Sequence, residues 1–161
     1  MQIAMSIKGL MMDPITNMPI VILHASDGGR VLPIWVGVFE ANAIALQIEN
    51  VAPPRPMTHD LLRNVLHELN ASVEKIVVTD LRDNTFFAHI HLAVLGEPLV
   101  IDARPSDAIA LALRTQAPIF VEDSVLENAK TVDAVPEKPD DERLSKWLES
   151  LDPEDLGKYK M

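Results

Sequence analysis

Short apolar segments alternate with polar turns along the first 70 residues of the chain. The segments at 1–12, 17–25 and 31–37 have the pattern of β-strands, and the two glycines of SDGGR (26–30) predict a hairpin turn between the second and the third. FEANAIALQIEN (39–50) has helical composition, and the prolines of VAPPRP end that helix because proline cannot continue it. THDLLRNVLHELN (58–70) predicts an amphipathic helix capped by Thr58, with one apolar face formed by Leu61, Leu62, Val65, Leu66 and Leu69.

The same order of elements then begins again. VEKIVVTDLR (73–82), TFFAHIHLAVL (85–95) and LVID (99–102) read as three strands joined by the turns DN and GEP. A helix follows from Pro105 to about Arg114, and it is apolar around its whole circumference, which predicts that it is buried. PIFVED (118–123) predicts a last short strand, and DSVLENA (123–129) a short helix.

An internal repeat underlies this order. Residues 33–48 match residues 98–113 at an offset of 65 positions, with the tetrapeptide AIAL at 43–46 falling on AIAL at 108–111 and Asn42 falling on Asp107. We therefore predict an α+β fold in which two sequential β-β-β-α pseudo-repeats form one domain with a mixed or antiparallel sheet and packed helices. The alanines allow the two repeated helices to pack closely.

The end of the chain has a different composition. We place the folded domain at residues 1–130 and an acidic C-terminal part at 131–161. In that part KTVDAVPEKPDD reads as a polar linker, and residues 141–157 form an amphipathic pattern with Leu144, Trp147, Leu148 and Leu151 on one stripe.

Composition and charge narrow the class of protein. The chain has 161 residues, no cysteine and 48% hydrophobic residues, which indicates one folded domain without disulfides or thiolate metal sites. Of the net charge of −10, −4 falls on residues 1–121 and −6 on residues 122–161, so nucleic acid would be repelled at long range and any site for it must be local. The N-terminal residues lack the features of a signal peptide, and no apolar run is long enough to span a membrane, so we expect a cytoplasmic protein.

Three groups of polar residues are candidates for chemistry. His89 and His91 alternate on one strand and point to the same face, as two metal ligands or as partly exposed sheet histidines. His59 and Asp60 begin the amphipathic helix, where Asp60 suits the helix dipole and His59 could act as a general base or metal ligand.

The third group, DARPSD (102–107), lies where a strand ends and a helix begins. Pro105, Ser106 and Asp107 suit the first helical turn, but capping does not explain Asp102 and Arg104. These two residues either pair with each other to hold the turn, or form a phosphate or metal site. If the repeats pack about a pseudo-twofold axis, Glu40 approaches Asp107, and clustered carboxylates with an arginine suit metal-assisted phosphodiester cleavage.

At family level, four blocks in order (LPIWVGVFEANAIAL, RPMTHDLL, VTDLRDNTFFAHIHL and IDARPSDAIALALRTQAPIFV) resemble the bifunctional nuclease (BFN) domain family, over about residues 1–130. The resemblance implies an α+β domain that self-associates, and plant members are described as nucleases that act on RNA and DNA. The acidic tail does not clearly resemble the UVR-type motif of the plant members.

The resemblance and the candidate residues together lead to two hypotheses. In the first, the protein is a dimeric nuclease that acts on single-stranded or small nucleic acids, with Mg²⁺ or Mn²⁺ held by Glu40, Asp102 and Asp107. His59 is then the base, Arg104 contacts phosphate, and Asp60 is included among the catalytic residues. In the second, the protein is a non-enzymatic oligomeric scaffold that binds a protein or a small ligand, which the acidic charge and the apolar helices favour. P-loop, GxGxxG, HExxH and GxSxG motifs are missing from the sequence.

Overall fold

A single sheet of eight strands organises the molecule. The computed structural model describes residues 1–129 and the backbone of residues 132–133. The strands lie side by side in the order β6-β5-β4-β7-β1-β2-β3-β8. Their bounds are β1 Gln2–Met12, β2 Pro19–Ala25, β3 Arg30–Trp35, β4 Ala71–Arg82, β5 Thr85–Val94, β6 Glu97–Ala103, β7 Ile119–Glu122 and β8 Val132–Asp133.

The sheet contains the two predicted halves. β1-β2-β3 and β4-β5-β6 are antiparallel meanders, and β7 lies between them, antiparallel to β1 and parallel to β4. The predicted mixed sheet with two β-β-β-α repeats is therefore confirmed. Beyond the repeats, β7 is the strand that makes one continuous sheet of the two meanders.

Four helices complete the domain: α1 Val38–Ile48, α2 Thr58–Glu68, α3 Pro105–Thr115 and α4 Asp123–Asn128. α3 packs against α1, α2, β4 and β5, and its side chains from Ala108 to Ala112 are fully buried. On β5, alternate residues from Phe86 to Leu92 are buried, as the period of two for a half-covered strand requires. The apolar circumference of α3 is thus explained, because packing partners surround it.

The helix predicted at 58–70 is present as α2, but its apolar face is largely uncovered. Only Leu66 of its apolar face packs against the core, while Leu61, Leu62, Val65 and Leu69 are exposed. Amphipathic spacing identifies a face that seeks burial, but the spacing does not say whether this domain covers it. α2 is anchored instead by polar contacts at its first turn.

Two further observations concern the ends of the predicted segments. Val132–Asp133, which the composition assigns to a linker, pairs with Arg30 and Val31 as β8. The amphipathic pattern at 141–157 lies outside the described residues. In the part of the chain that the structure describes, no helix is long and apolar enough to cross a membrane.

Candidate active site

Arg104 occupies the turn between β6 and α3. It is the N-cap residue of α3 with extended backbone angles, and Pro105 fixes the first helical position behind it. Its side chain contacts two carboxylates: Nε lies 2.8 Å from Asp107 Oδ2, and one terminal nitrogen lies 3.0 Å from Glu40 Oε1. The hydrogen bond to Asp107 raises the pKa of the guanidinium. Arg104 therefore joins the starts of the two repeated helices.

This geometry corrects the predicted pairing of Arg104 with Asp102. Asp102 is exposed at the end of the edge strand β6, opposite His89 on β5. Arg104 bonds to Glu40 and Asp107 instead, so the approach of Glu40 to Asp107 expected from the repeat is confirmed. We expected Asp107 to cap the first turn of α3, but its two carboxylate oxygens contact side-chain nitrogens of His59 and Arg104 instead.

His59, the second residue of α2, completes the arrangement. Its Nε2 lies 2.9 Å from Asp107 Oδ1, and 12% of its side chain is exposed. Burial of Asp107 raises its carboxyl pKa, but the hydrogen bonds from Arg104 and His59 outweigh burial, and the pKa lies below its usual value. Because the ionised Asp107 carboxylate can only accept hydrogen bonds, the Nε2 atom of His59 must carry a hydrogen in this contact. In the neutral form of the ring, Nδ1 is then the nitrogen that can accept a proton. We call Glu40, His59, Arg104 and Asp107 the Arg104 cluster.

A glycine makes room for Glu40. Gly37 is the N-cap of α1, and a Cβ atom built on it would collide with the Glu40 carboxylate. The backbone of Gly37 is in the extended region, so its role is space and not conformation. Gly37 is not among the residues predicted from the sequence, where its only signal is its position three residues before Glu40.

Asp60 faces away from the Arg104 cluster. Its Oδ1 lies 2.8 Å from Nε of Arg114, and its Oδ2 accepts a hydrogen bond from the Met57 backbone N–H at the start of α2. Met57, and not Thr58, is therefore the N-cap residue of α2. Burial raises the pKa of Asp60, and the bonds from Met57 and Arg114 lower it to below its usual value. The predicted catalytic role of Asp60 stays a prediction, while its contacts hold α2 in place.

Arg114 is a buried cation that the sequence analysis did not single out. Besides Asp60, it donates hydrogen bonds to the backbone carbonyls of Ala110 in α3 and Ala43 in α1. One side chain thus connects three helices beneath the Arg104 cluster. The available signal was a positive charge directly after the apolar stretch 108–113, since a buried charge needs partners.

A cleft of about 720 Å³ opens over the Arg104 cluster. All four members of the cluster line it, and Asp102 lies on its rim. The remaining wall is largely apolar and contains Phe39, Met57, Leu62, Leu66 and Ile101. The cleft lining therefore combines charged and apolar side chains.

The donor set does not fit the predicted divalent ion. Arg104 lies between Glu40 and Asp107 and binds an oxygen of each, which is the position that a bridging cation would take. Within residues 1–129, no group of three His, Asp or Glu side chains has the arrangement of a metal site. As arranged, the carboxylates are ligands of an arginine.

The histidine pair of β5 lies apart from the cleft. His89 and His91 are half-buried on the sheet face opposite Ile90 and Leu92, with ring centroids 6.4 Å apart. Burial, with the nearby Lys75 charge, lowers the pKa of His91. The pair is therefore not one of the groups that contact the Arg104 cluster.

Comparisons with known proteins identify the family of the chain. The family model described as the bifunctional nuclease domain matches residues 21–134. The chain is 36% identical to a Mycobacterium tuberculosis protein described as uncharacterized, over 93% of this chain and 95% of that protein. It is 31% identical to bifunctional nuclease 1 of Arabidopsis thaliana and 27% identical to bifunctional nuclease 1 of Oryza sativa subsp. indica, over 64% and 63% of this chain. These matches span only 33% and 32% of the plant proteins. The chain belongs to the bifunctional nuclease domain family.

Proposed function

We propose that this protein is a nuclease that cleaves phosphodiester bonds of single-stranded RNA or DNA at the Arg104 cluster. The observation that carries the proposal is the contact of His59 Nε2 with Asp107 Oδ1, next to Arg104 and inside one cleft. The names of the plant relatives and the matched family model support the reaction class.

Each member of the cluster has a role in this mechanism. Asp107 orients His59, and Nδ1 of His59 takes a proton from water as the water oxygen attacks phosphorus. Arg104 binds the phosphate oxygens and stabilises the charge that develops on them. The bond from phosphorus to the leaving oxygen then breaks, and that oxygen takes a proton from solvent. Glu40 holds Arg104 in position from the opposite side.

Cleavage of labelled single-stranded oligonucleotides tests the proposal. Wild type, His59→Gln and His67→Gln are compared, because His67 lies on the same helix but is exposed outside the cleft. We expect His59→Gln to be about 10²- to 10⁴-fold slower, as for loss of a general base, and His67→Gln to be unchanged. Equal activity of all three proteins would contradict the proposal.

The same assay decides whether Mg²⁺ or Mn²⁺ is needed. The contacts of Arg104 favour cleavage that persists in the presence of a chelator. Loss of cleavage with chelator and recovery with Mg²⁺ or Mn²⁺ would instead support the metal set Glu40, Asp102 and Asp107, and would require Arg104 to leave its two carboxylates.

We also propose that two copies of the chain associate through α2. Leu61, Val65 and Leu69 are spaced by four residues on one side of the helix, outside the cleft, and Leu61 and Leu69 are 57% and 65% exposed. Such an apolar stripe is typical of an interaction surface. This observation favours the scaffold hypothesis and is compatible with a dimeric nuclease.

Sedimentation of Leu61→Glu tests this association, with Ile15→Glu as control. Ile15 is 58% exposed in the turn between β1 and β2, and β7 separates these strands from β4, the strand that α2 contacts. We expect dimeric wild type and control, and a monomeric Leu61→Glu. A monomeric wild type would contradict the proposal without bearing on cleavage.

A further inference from the structure

Phe39 is the residue whose position the nuclease mechanism leaves unexplained. It precedes Glu40 on α1, and 88% of it is exposed, although it lines the cleft. An aromatic ring in this position makes almost no contribution to the core, and large apolar surfaces that remain exposed beside a site often contact a ligand. Glu40 bonds to Arg104, so the ring stands close in the chain to the proposed phosphate contact.

The cleft lining suits both parts of a nucleotide, the charged phosphate and the flat apolar base. Its lining holds Arg104 together with exposed apolar side chains from Met57, Leu62 and Ile101. At about 720 Å³ it lies in the size range of pockets that enclose small ligands. A flat base can lie against the apolar wall while its phosphate contacts Arg104. Asn42, also on the wall, offers both a donor and an acceptor to a base edge.

The charges of the cluster determine where binding energy can come from. Arg104 is the only cation of the cleft lining other than a protonated His59, and two carboxylates already contact it. The chain carries a net charge of −10, which disfavours long-range attraction of phosphates. Contacts to the base must therefore supply most of the affinity.

We propose that Phe39 stacks on an unpaired nucleobase adjacent to the cleaved phosphate and thereby selects single-stranded RNA or DNA. This inference rests on the proposed nuclease function for the identity of the ligand. Aromatic side chains stack on any base, so the contact tolerates different sequences. A base within a duplex is already stacked on both sides and must leave the helix to reach Phe39, which disfavours double-stranded substrate.

Binding of a single-stranded oligodeoxythymidine that carries one 2-aminopurine tests the proposal without cleavage. The His59→Gln protein is used as background, and Phe39→Ala, Phe39→Tyr and Ile15→Ala are added to it. Ile15 is an exposed apolar residue outside the cleft and outside α2, so Ile15→Ala controls for loss of apolar surface. Stacking quenches 2-aminopurine fluorescence, which reports the contact itself.

We expect Phe39→Ala to weaken binding roughly 5- to 150-fold and to abolish the quenching, and Phe39→Tyr and Ile15→Ala to leave both unchanged. The affinity should depend only weakly on salt, because one arginine contacts phosphate. A plot of log binding constant against log salt concentration should have a slope between 0 and about −1. Equal binding by Phe39→Ala, equal affinity for a duplex, or a steep salt slope would overturn the proposal.

The outcome is separable from that of the nuclease function. If wild type binds and quenches but never cleaves, the base site stands and the nuclease proposal fails. If wild type cleaves and Phe39→Ala cleaves and binds equally well, the nuclease proposal stands and the base site fails. Sedimentation of Phe39→Ala completes the comparison, because a change from dimer to monomer would assign the ring to a protein interface and overturn the inference.

Discussion

His59 Nε2 lies 2.9 Å from Asp107 Oδ1, which connects the second residue of α2 to the third residue of α3. The two residues are 48 positions apart in the chain, and the contact forms because α2 and α3 pack side by side. Asp107 uses its other oxygen for Arg104, so one carboxylate orients both the proposed base and the proposed phosphate ligand.

This relationship predicts that His59 and Asp107 act as a unit. His59→Gln and Asp107→Asn should each slow cleavage by about 10²-fold or more, and the double variant should be little slower than the worse single variant. The measurement is single-turnover cleavage of a single-stranded oligonucleotide by all four proteins of the cycle. Multiplicative effects of the two substitutions would show that the residues act independently.

Gly37→Ala should impair the Arg104 cluster with little loss of stability. The added methyl group displaces the flexible Glu40 carboxylate, and alanine is a poorer N-cap than glycine, for a total cost of about 1 kcal/mol or less. Arg104 loses its bond to Glu40, so cleavage should fall several-fold. Activity and thermal unfolding are measured together.

Gly29→Ala is the matched control for that experiment. A Cβ at Gly29 also approaches a carboxylate, that of Asp27, but in the turn between β2 and β3. Its activity should equal that of wild type. A similar loss of activity in both glycine variants, or in neither, would contradict the role given to Gly37.

The Asp60–Arg114 pair should be a determinant of stability. Arg114→Met leaves the Asp60 carboxylate without its buried partner, and breaking such a pair costs about 3–5 kcal/mol. Urea unfolding gives the free energies. Arg55→Met is the control, because Arg55 is exposed in the segment between α1 and α2, and it should change stability by about 0.5 kcal/mol or less.

A second substitution separates a packing role from a catalytic role for Asp60. Asp60→Asn combined with Arg114→Met removes both charges and should recover part of the lost stability. Cleavage by the folded double variant should then be within a few-fold of wild type if Asp60 only positions α2. A loss as large as that of His59→Gln would support its predicted catalytic role.

Acid should destabilise the protein through Asp107. The pKa of Asp107 is lower in the folded protein than its ordinary value of about 3.9, so its ionised form stabilises the fold above that pH. This contribution is lost as pH falls through the lowered folded-state pKa. The difference in unfolding free energy between wild type and Asp107→Asn should therefore be largest near about pH 6 and should shrink below about pH 4. A difference that does not vary with pH would contradict this assignment.

Local patterns were sufficient for much of the fold. Apolar alternation predicted the strands, and the all-apolar stretch after Pro105 predicted a buried helix, because periodicity and turn residues act over a few neighbouring positions. The repeated AIAL tetrapeptide also predicted that Glu40 and Asp107 approach each other, since repeated segments fold into repeated units. The exposed stripe on α2 was not predictable, because spacing does not reveal what covers a face.

By itself, the sequence determined the α+β class and the two repeats, and it named six candidate residues, of which Glu40, His59, Arg104 and Asp107 meet in one cluster. Only the tertiary structure decided their partners, because Arg104 could equally have paired with Asp102 two residues away. It also separated Asp60 from its neighbour His59, since successive residues of a helix point about 100° apart and so reach different partners. The physical reason is that hydrogen-bond geometry depends on the packing of α1, α2 and α3, which residue spacing along the chain does not encode.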